Sequence, residues 1–233
     1  MRPRLPRRRR SRLLLGGVVA AVVIVGSVLV AYLTPLMSVR GTEISGTRTV
    51  PGAQVLAAAA VPSGTPLLQV DTGAAARRIA AIPSVESARV QRSYPSTLEI
   101  TITERVPVAV VTEGDKLHVL DRSGVGYLTY PAASAPPDIK KLPVFHTATP
   151  GPADPTTRAA LAVVAGLPPS LSKQVVSVTA SSPVDIHLEL TGNRNVVWGD
   201  DSQGAEKART LSYLLTRDAT QFNVSAPAFP TYR

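Results

Sequence analysis

The side chains that could do chemistry in this chain are few and scattered. They are three histidines, His118, His146 and His187, two adjacent aspartates, Asp200-Asp201, and one Glu104-Arg105 pair. Zinc sites gather histidines at short spacings such as His-x-x-x-His, and none of the three histidines has such a neighbour. His118 and His187 fall in segments that read as strands, so ordinary sheet residues are expected there rather than ligands or bases. Asp200-Asp201 offers two carboxylates to a divalent cation, but oxygen cages collect several ligands. The expected role is a helix N-terminus, where negative charge meets the positive end of the dipole. Glu104-Arg105, at a strand end, reads as a surface charge pair whose arginine anchors the junction of two modules. A serine nucleophile of the hydrolase type needs a Gly-x-Ser-x-Gly elbow and a phosphate site needs a Gly-rich loop; neither occurs. Asn223-Val224-Ser225 has only the form of a glycosylation acceptor. Cysteine is absent, which removes thiol nucleophiles, thiolate metal ligands, disulfides and a lipidated cysteine anchor. The sequence points to a non-enzymatic protein with no catalytic residues, no metal, no cofactor and no small-molecule substrate. Function must then rest on surfaces, and on the elements that hold them in place.

The N-terminus says where those surfaces lie. Seven arginines stand in residues 1–12, and residues 13–33 carry no charge. At about 1.5 Å per residue a helix over that run spans roughly 31 Å, close to the bilayer's hydrocarbon thickness. Arginine clusters stay on the cytoplasmic side, so residues 34–233 are expected outside the cytoplasmic membrane. A cleaved signal peptide is the rival reading. Its apolar region is shorter and ends in small residues, whereas Leu29-Val30-Ala31 is a poor cleavage site. Removing the tail's seven arginines from 25 basic residues leaves 18 against 16 acidic ones, so the formal charge of +9 gives no reason to expect nucleic acid. The tail is a topology signal suited to anionic headgroups.

Two modules follow. In the first, residues 38–111, Val39 to Ile44 reads as a strand and Pro51 starts a helix with Val55, Leu56 and Ala59 on one face. Asp71 or Thr72 caps a second helix with Ala75, Ile79 and Ile82 inward. Glu86–Arg92 and Thr97–Thr103 form a hairpin around Tyr94-Pro95-Ser96, and its second arm alternates Leu98, Ile100 and Ile102 with polar residues. The order is β-α-α-β-β, an α+β layer of two helices on three strands. The second module, residues 112–233, offers a hairpin at Lys116–Tyr130 and a helix opened by Asp154-Pro155 with Leu161, Val164 and Ala165 on one face. Strands follow at Gln174–Ala180, Val184–Leu190 and Asn195–Gly199, then a helix capped by Ser202, and a last strand at Phe222–Ser225.

These residues carry a resemblance. Val39-x-Gly41, Leu67-x-x-Val70-Asp71, Ile82-Pro83-x-Val85 and above all Tyr94-Pro95-x-x-Leu98-x-Ile100-x-Ile102-x-Glu104-Arg105-x-Pro107-Val108-Ala109 resemble the POTRA domain of the FtsQ/DivIB family of bacterial cell-division proteins. Val196-x-Trp198-Gly199, Lys207 with Leu211, Leu214 and Leu215, and Phe222-x-Val224-x-x-Pro227 match the family's β domain in order. The resemblance implies a basic tail, one transmembrane helix, a POTRA domain, then a mixed sheet with helices on one side. It implies a single-pass protein of the cytoplasmic membrane at the division septum. Its β domain would capture the single-span partners FtsB (DivIC) and FtsL, among other divisome components, and so act as a scaffold controlling septum assembly.

The physical route is strand addition. An open sheet edge carries unpaired N–H and C=O groups that an extended segment can complete. No strand is expected after Phe222–Ser225, so Phe222, Asn223, Val224 and Ser225 are the expected edge, with Tyr232 (beside Arg233) at its rim. Closing the sheet without any partner is the competing role for that strand. Pro227 and Pro230 shorten it, because proline cannot donate to a ladder. A POTRA-bearing transport or assembly factor is the alternative, but it needs a long alternating barrel sequence after the POTRA units. A membrane-anchored hydrolase would need a nucleophile constellation.

Overall fold

The computed structural model describes residues 16–26 and 37–233. The arginine tail, and residues 13–15 and 27–33 of the expected span, lie outside the described residues. Residues 16–26 are helical and exposed. Among the described residues no helix is long and apolar enough to cross a membrane. The chain divides into two compact units between Glu104 and Arg105.

The first unit has the expected element order. Strand β1 (Gly41–Ser45) leads to helix α1 (Gly52–Ala59), then α2 (Thr72–Ala80), β2 (Val85–Ser93) and β3 (Thr97–Glu104). Asp71 caps α2 by accepting from the Ala74 N–H at 2.8 Å. The sheet order is β1-β3-β2, with β1 parallel and β2 antiparallel to the central β3. β3 is central because its alternation is the cleanest: Leu98, Ile100 and Ile102 are buried against Val55, Ala75 and Ile79 of the helices. Burying each such side chain contributes about 1.5–3 kcal/mol. Leu56, expected on the same face, is exposed. Arg92 closes the layer by donating to the carbonyls of Leu67 (2.7 Å) and Val70 (2.6 Å) in the loop before α2.

The second unit is built on a nine-stranded mixed sheet. Its strands are β4 (Pro107–Glu113), β5 (Lys116–Asp121), β6 (Gly126–Pro131), β7 (Val144–His146), β8 (Val175–Ser182), β9 (Asp185–Leu190), β10 (Arg194–Gly199), β11 (Gln221–Asn223) and β12 (Thr231–Tyr232). The helices are α3 (Pro137–Lys140), α4 (Pro155–Gly166), α5 (Pro169–Ser172) and α6 (Gly204–Leu214). The spatial order is β12-β11-β10-β9-β8-β7-β4-β5-β6. Residues 107–111, grouped above with the POTRA module, thus begin β4 of this sheet. They are a continuous apolar run, Pro107-Val108-Ala109-Val110-Val111, because β4 is central and covered on both faces.

That covering corrects the one-sided layout. Ala109 and Leu120 join a core with Leu161, Val164, Ala208 and Leu211 of α4 and α6. Val110 and Val119, pointing the other way, join Ile139 of the single-turn α3. Asp154 caps α4 as expected, accepting from the N–H groups of Thr156 (3.2 Å) and Thr157 (2.9 Å). The residue at the N-cap of α6 is Gln203, in a left-handed conformation, rather than Ser202.

Candidate partner-binding edge

The end of the second sheet is assembled from β10, α6, β11 and β12. β10 carries Val196 and Trp198 into the core and ends at Gly199, whose φ is +82°. A Cβ at Gly199 would lie 2.8 Å from that of Ser225, so glycine is required for the chain to turn beside β11. Asp200 follows. It accepts from the Ser202 N–H at 3.1 Å, the Ser202 hydroxyl at 2.7 Å and the Lys207 ammonium at 2.6 Å. Lys207 is fully buried and also donates to the Asp200 carbonyl at 2.9 Å. The bonds from Lys207 and Ser202 outweigh partial burial and hold the Asp200 carboxyl at a pKa of about 2. Asp200 is therefore a structural tie between β10 and α6, and Asp201 lies exposed beside it.

β11 is not the open edge. It pairs parallel with β10 on one side and antiparallel with β12 on the other, Phe222 opposite Tyr232 and Asn223 opposite Thr231. This overturns the expectation that no later strand covers Phe222–Ser225. Pro227 and Pro230 do not end the structure. Pro227 is the second residue of a tight turn over residues 226–229, closed by Phe229 N–H donating to the Ala226 carbonyl at 2.9 Å, and Pro230 follows as the chain returns along β11. Phe222 and Val224 are 1% and 0% exposed. The Asn223 side chain accepts from the Ser225 N–H (3.0 Å) and hydroxyl (2.7 Å), a local turn that stops the strand. Ser225 is exposed, and Tyr232 is 51% exposed on β12, the outermost strand at this end of the sheet among the described residues.

The register fixes what β12 presents. Gln221 and Arg233 exchange both backbone bonds, each 3.0 Å. Antiparallel pairs alternate between bonded and non-bonded, so Phe222–Tyr232 is non-bonded and the Tyr232 N–H and C=O point away from β11. Pro230, two residues earlier on the same side, brings no N–H.

The other candidates take structural places. Glu104 and Arg105 do not pair. Glu104 accepts from the N–H groups of Arg48 (2.7 Å), Thr49 (3.0 Å) and Val50 (2.9 Å) and from the Thr49 hydroxyl (2.7 Å). Burial opposes its ionisation, but these donors prevail and set its pKa at about 2. Arg105 pairs instead with Asp121, which is 1% exposed. There, burial again opposes the charge, and donors from Ser123, Val125 and Arg105 hold the carboxyl below its usual range. His118 contacts Thr129 at 3.0 Å within the β5–β6 pair, His187 contacts Asp185 at 2.7 Å, and His146 lies on β7. Among the described residues no group of three or more metal-ligating side chains gathers.

A β-α-α-β-β layer followed by a mixed sheet that ends in a short outer ribbon defines a two-unit protein of the POTRA-bearing class. Comparison with known proteins agrees: residues 37–105 match the POTRA domain of FtsQ type, and residues 109–226 match the C-terminal domain of cell division protein FtsQ/DivIB. The chain is 47% identical to the cell division protein FtsQ of Mycolicibacterium smegmatis over 97% of its own length and 66% of that protein's. It is 46% identical to FtsQ of Mycobacterium tuberculosis (97% of this chain, 70% of that one) and 35% identical to FtsQ of Streptomyces coelicolor (98% and 91%). The chain thus belongs to the FtsQ/DivIB family of cell division proteins. It spans about two thirds of the length of the mycobacterial relatives.

Proposed function

We propose that this protein is a non-enzymatic scaffold of the division machinery, anchored in the cytoplasmic membrane by residues 13–33 with its two units outside. It captures FtsB (DivIC)-like and FtsL-like single-span partners by strand addition, and that capture controls septum assembly. The observation that carries this reading is the outward-facing N–H and C=O of Tyr232, held in register by the Gln221–Arg233 bonds. A partner strand adds along β12, and the exposed Tyr232 ring gives it an apolar contact. Phe222, Asn223 and Val224 act one strand further in, by holding β12 in place, and Ser225 borders the turn beside them.

The test is a two-component pull-down of the full chain with the extracytoplasmic part of an FtsB-type partner. Tyr232→Pro removes the outward N–H while leaving the β11–β12 bonds of Gln221 and Arg233. Capture is expected to fall at least tenfold with the melting temperature unchanged. Undiminished capture by Tyr232→Pro would place the partner elsewhere.

A further inference from the structure

The second unit carries a groove where β4, β7 and β8 begin, within the sheet rather than at its β12 edge. These three strands are parallel neighbours, but β7 is only three residues long. β4 meets β7 at the single pair Val110–Val144, and β8 meets it only from Ser177 onward. Before β7 starts, the strands on either side of it are left apart. Both carry a bulge at that point, between Pro107 and Ala109 in β4 and between Val175 and Ser177 in β8. The result is a notch of about 1050 Å³.

Its lining divides by chemistry. Val106, Pro107, Leu142, Pro143, Leu167 and Val176 give apolar walls. Val106 and Val176 are 60% and 45% exposed, so the walls stand open to solvent. The polar rim is cationic: Arg122, Lys140, Lys141 and Lys173. Among the described residues no carboxylate lines the groove. Lys140 donates to the neutral carbonyl of Ala133 at 2.9 Å, which leaves its charge in place. Lys141 lies 3.7 Å from Asp138, with both side chains largely in water, so that pair neutralises it weakly. An apolar trough open to solvent and framed by the positive charge of Lys140, Lys141 and Lys173 is a good complement for one kind of guest.

We propose that this groove is a second docking site, for a partner segment with apolar residues at its centre and carboxylates at its flanks. The apolar side chains fill the notch that β7 leaves, and the carboxylates meet Lys140, Lys141 and Lys173. The site does not depend on β12, so it survives loss of the strand-addition edge.

The test uses the full chain and a fluorescein-labelled octapeptide with a Leu-Val-Leu centre flanked by glutamates, followed by fluorescence anisotropy. Binding is expected to weaken as salt rises and to fall at least tenfold in Lys140→Glu/Lys173→Glu. The reversed groove should instead bind the same peptide with lysine flanks, which the native groove rejects. Val176→Arg keeps the positive charge but fills the notch, and the same loss is expected. Tyr232→Pro should bind the peptide as the native chain does, so this test stands or falls separately from the edge. Equal binding to the native and reversed grooves would overturn the proposal. So would loss of binding in Tyr232→Pro, or binding of anionic lipid vesicles with none of the peptide.

Discussion

Phe222 and Tyr232 face each other across a non-bonded antiparallel pair, one side chain buried and the other open to water. The pair separates two ways of losing a partner. Phe222→Ala empties a core position and should cost about 3–5 kcal/mol. Tyr232→Ala changes an exposed side chain and should shift stability by about 0.5 kcal/mol or less. Urea melts run beside the pull-down should therefore show Phe222→Ala losing stability and capture together. Tyr232→Ala should lose affinity alone.

Gly199 turns the chain where β10 passes β11, with positive φ and no room for a Cβ. Gly199→Ala should destabilise the second unit by about 1–3 kcal/mol, since strain and the contact with Ser225 act together. Gly46 is the counterpart in the first unit. Its φ is +83°, and a Cβ there would sit 2.0 Å from the Ile102 carbonyl oxygen. Gly46→Ala should loosen β1 from β3, visible as faster amide exchange in β1 while β2 keeps its protection.

Glu104 binds the chain that enters α1. Its carboxylate accepts from three successive N–H groups, those of Arg48, Thr49 and Val50. Glu104→Gln keeps the shape but swaps one acceptor oxygen for a donor and removes the charge, which should cost about 1–3 kcal/mol. The folded pKa of about 2 lies below the reference 4.5, so this stabilisation is complete above pH 4.5 and is lost as pH falls through 2. Acid titration of the first unit's melting temperature should be flatter in Glu104→Gln than in the native chain across that window.

Much of this arrangement was legible in the sequence. The β-α-α-β-β order, the Asp71 and Asp154 caps and the β8–β10 strands follow from periodicity and turn residues, because each is set by neighbours close in the chain. The failures have a common cause. β4 carries an unbroken apolar run, whose period does not distinguish a strand from another buried segment, so the sequence alone does not separate it from the first module. β7 has three residues and β12 two, too few for any alternation to register. They are strands only because long-range partners, β8 and β11, complete their bonds. The signal for β12 was the turn at Pro227, with Pro230 just after it. Prolines there suggest a shortened edge, whereas they shape the return of the chain. Glu104-Arg105 misled in the same manner: adjacency in sequence suggested a pair, but alternate residues of an extended chain point to opposite sides. Each found its partners elsewhere.

The tie between Asp200 and Lys207 is the sharpest electrostatic test in the second unit. Lys207 is wholly buried, whereas the Asp200 side chain is 43% exposed. The two ends of the bond therefore respond differently to removal. Asp200→Ala leaves an ammonium that is fully buried in the native fold bonded to the residue-200 backbone carbonyl and without its carboxylate. Lys207→Met replaces the ammonium with an apolar chain of similar length, and the remaining carboxylate can hydrate and keep its Ser202 bonds. Breaking a buried pair from the side that strands the charge is the costlier change. Asp200→Ala is thus expected to destabilise by about 2–4 kcal/mol, and Lys207→Met by less than half as much. The pH dependence follows from the same bond. Asp200 titrates at about 2 in the folded chain against a reference of 3.8, so its contribution is full above pH 3.8 and vanishes as pH falls through 2. Lys207→Met should remove most of that acid sensitivity, since the lysine bond is the largest cause of the depressed pKa. Because Gly199 and Asp200 lead directly from β10, loss of the tie should also raise amide exchange at Val224, whose N–H donates to the Val197 carbonyl at 3.0 Å. An Asp200→Ala chain that melts like the native one, with Val224 still protected, would mean that the residue-200 carbonyl alone suffices to hold Lys207.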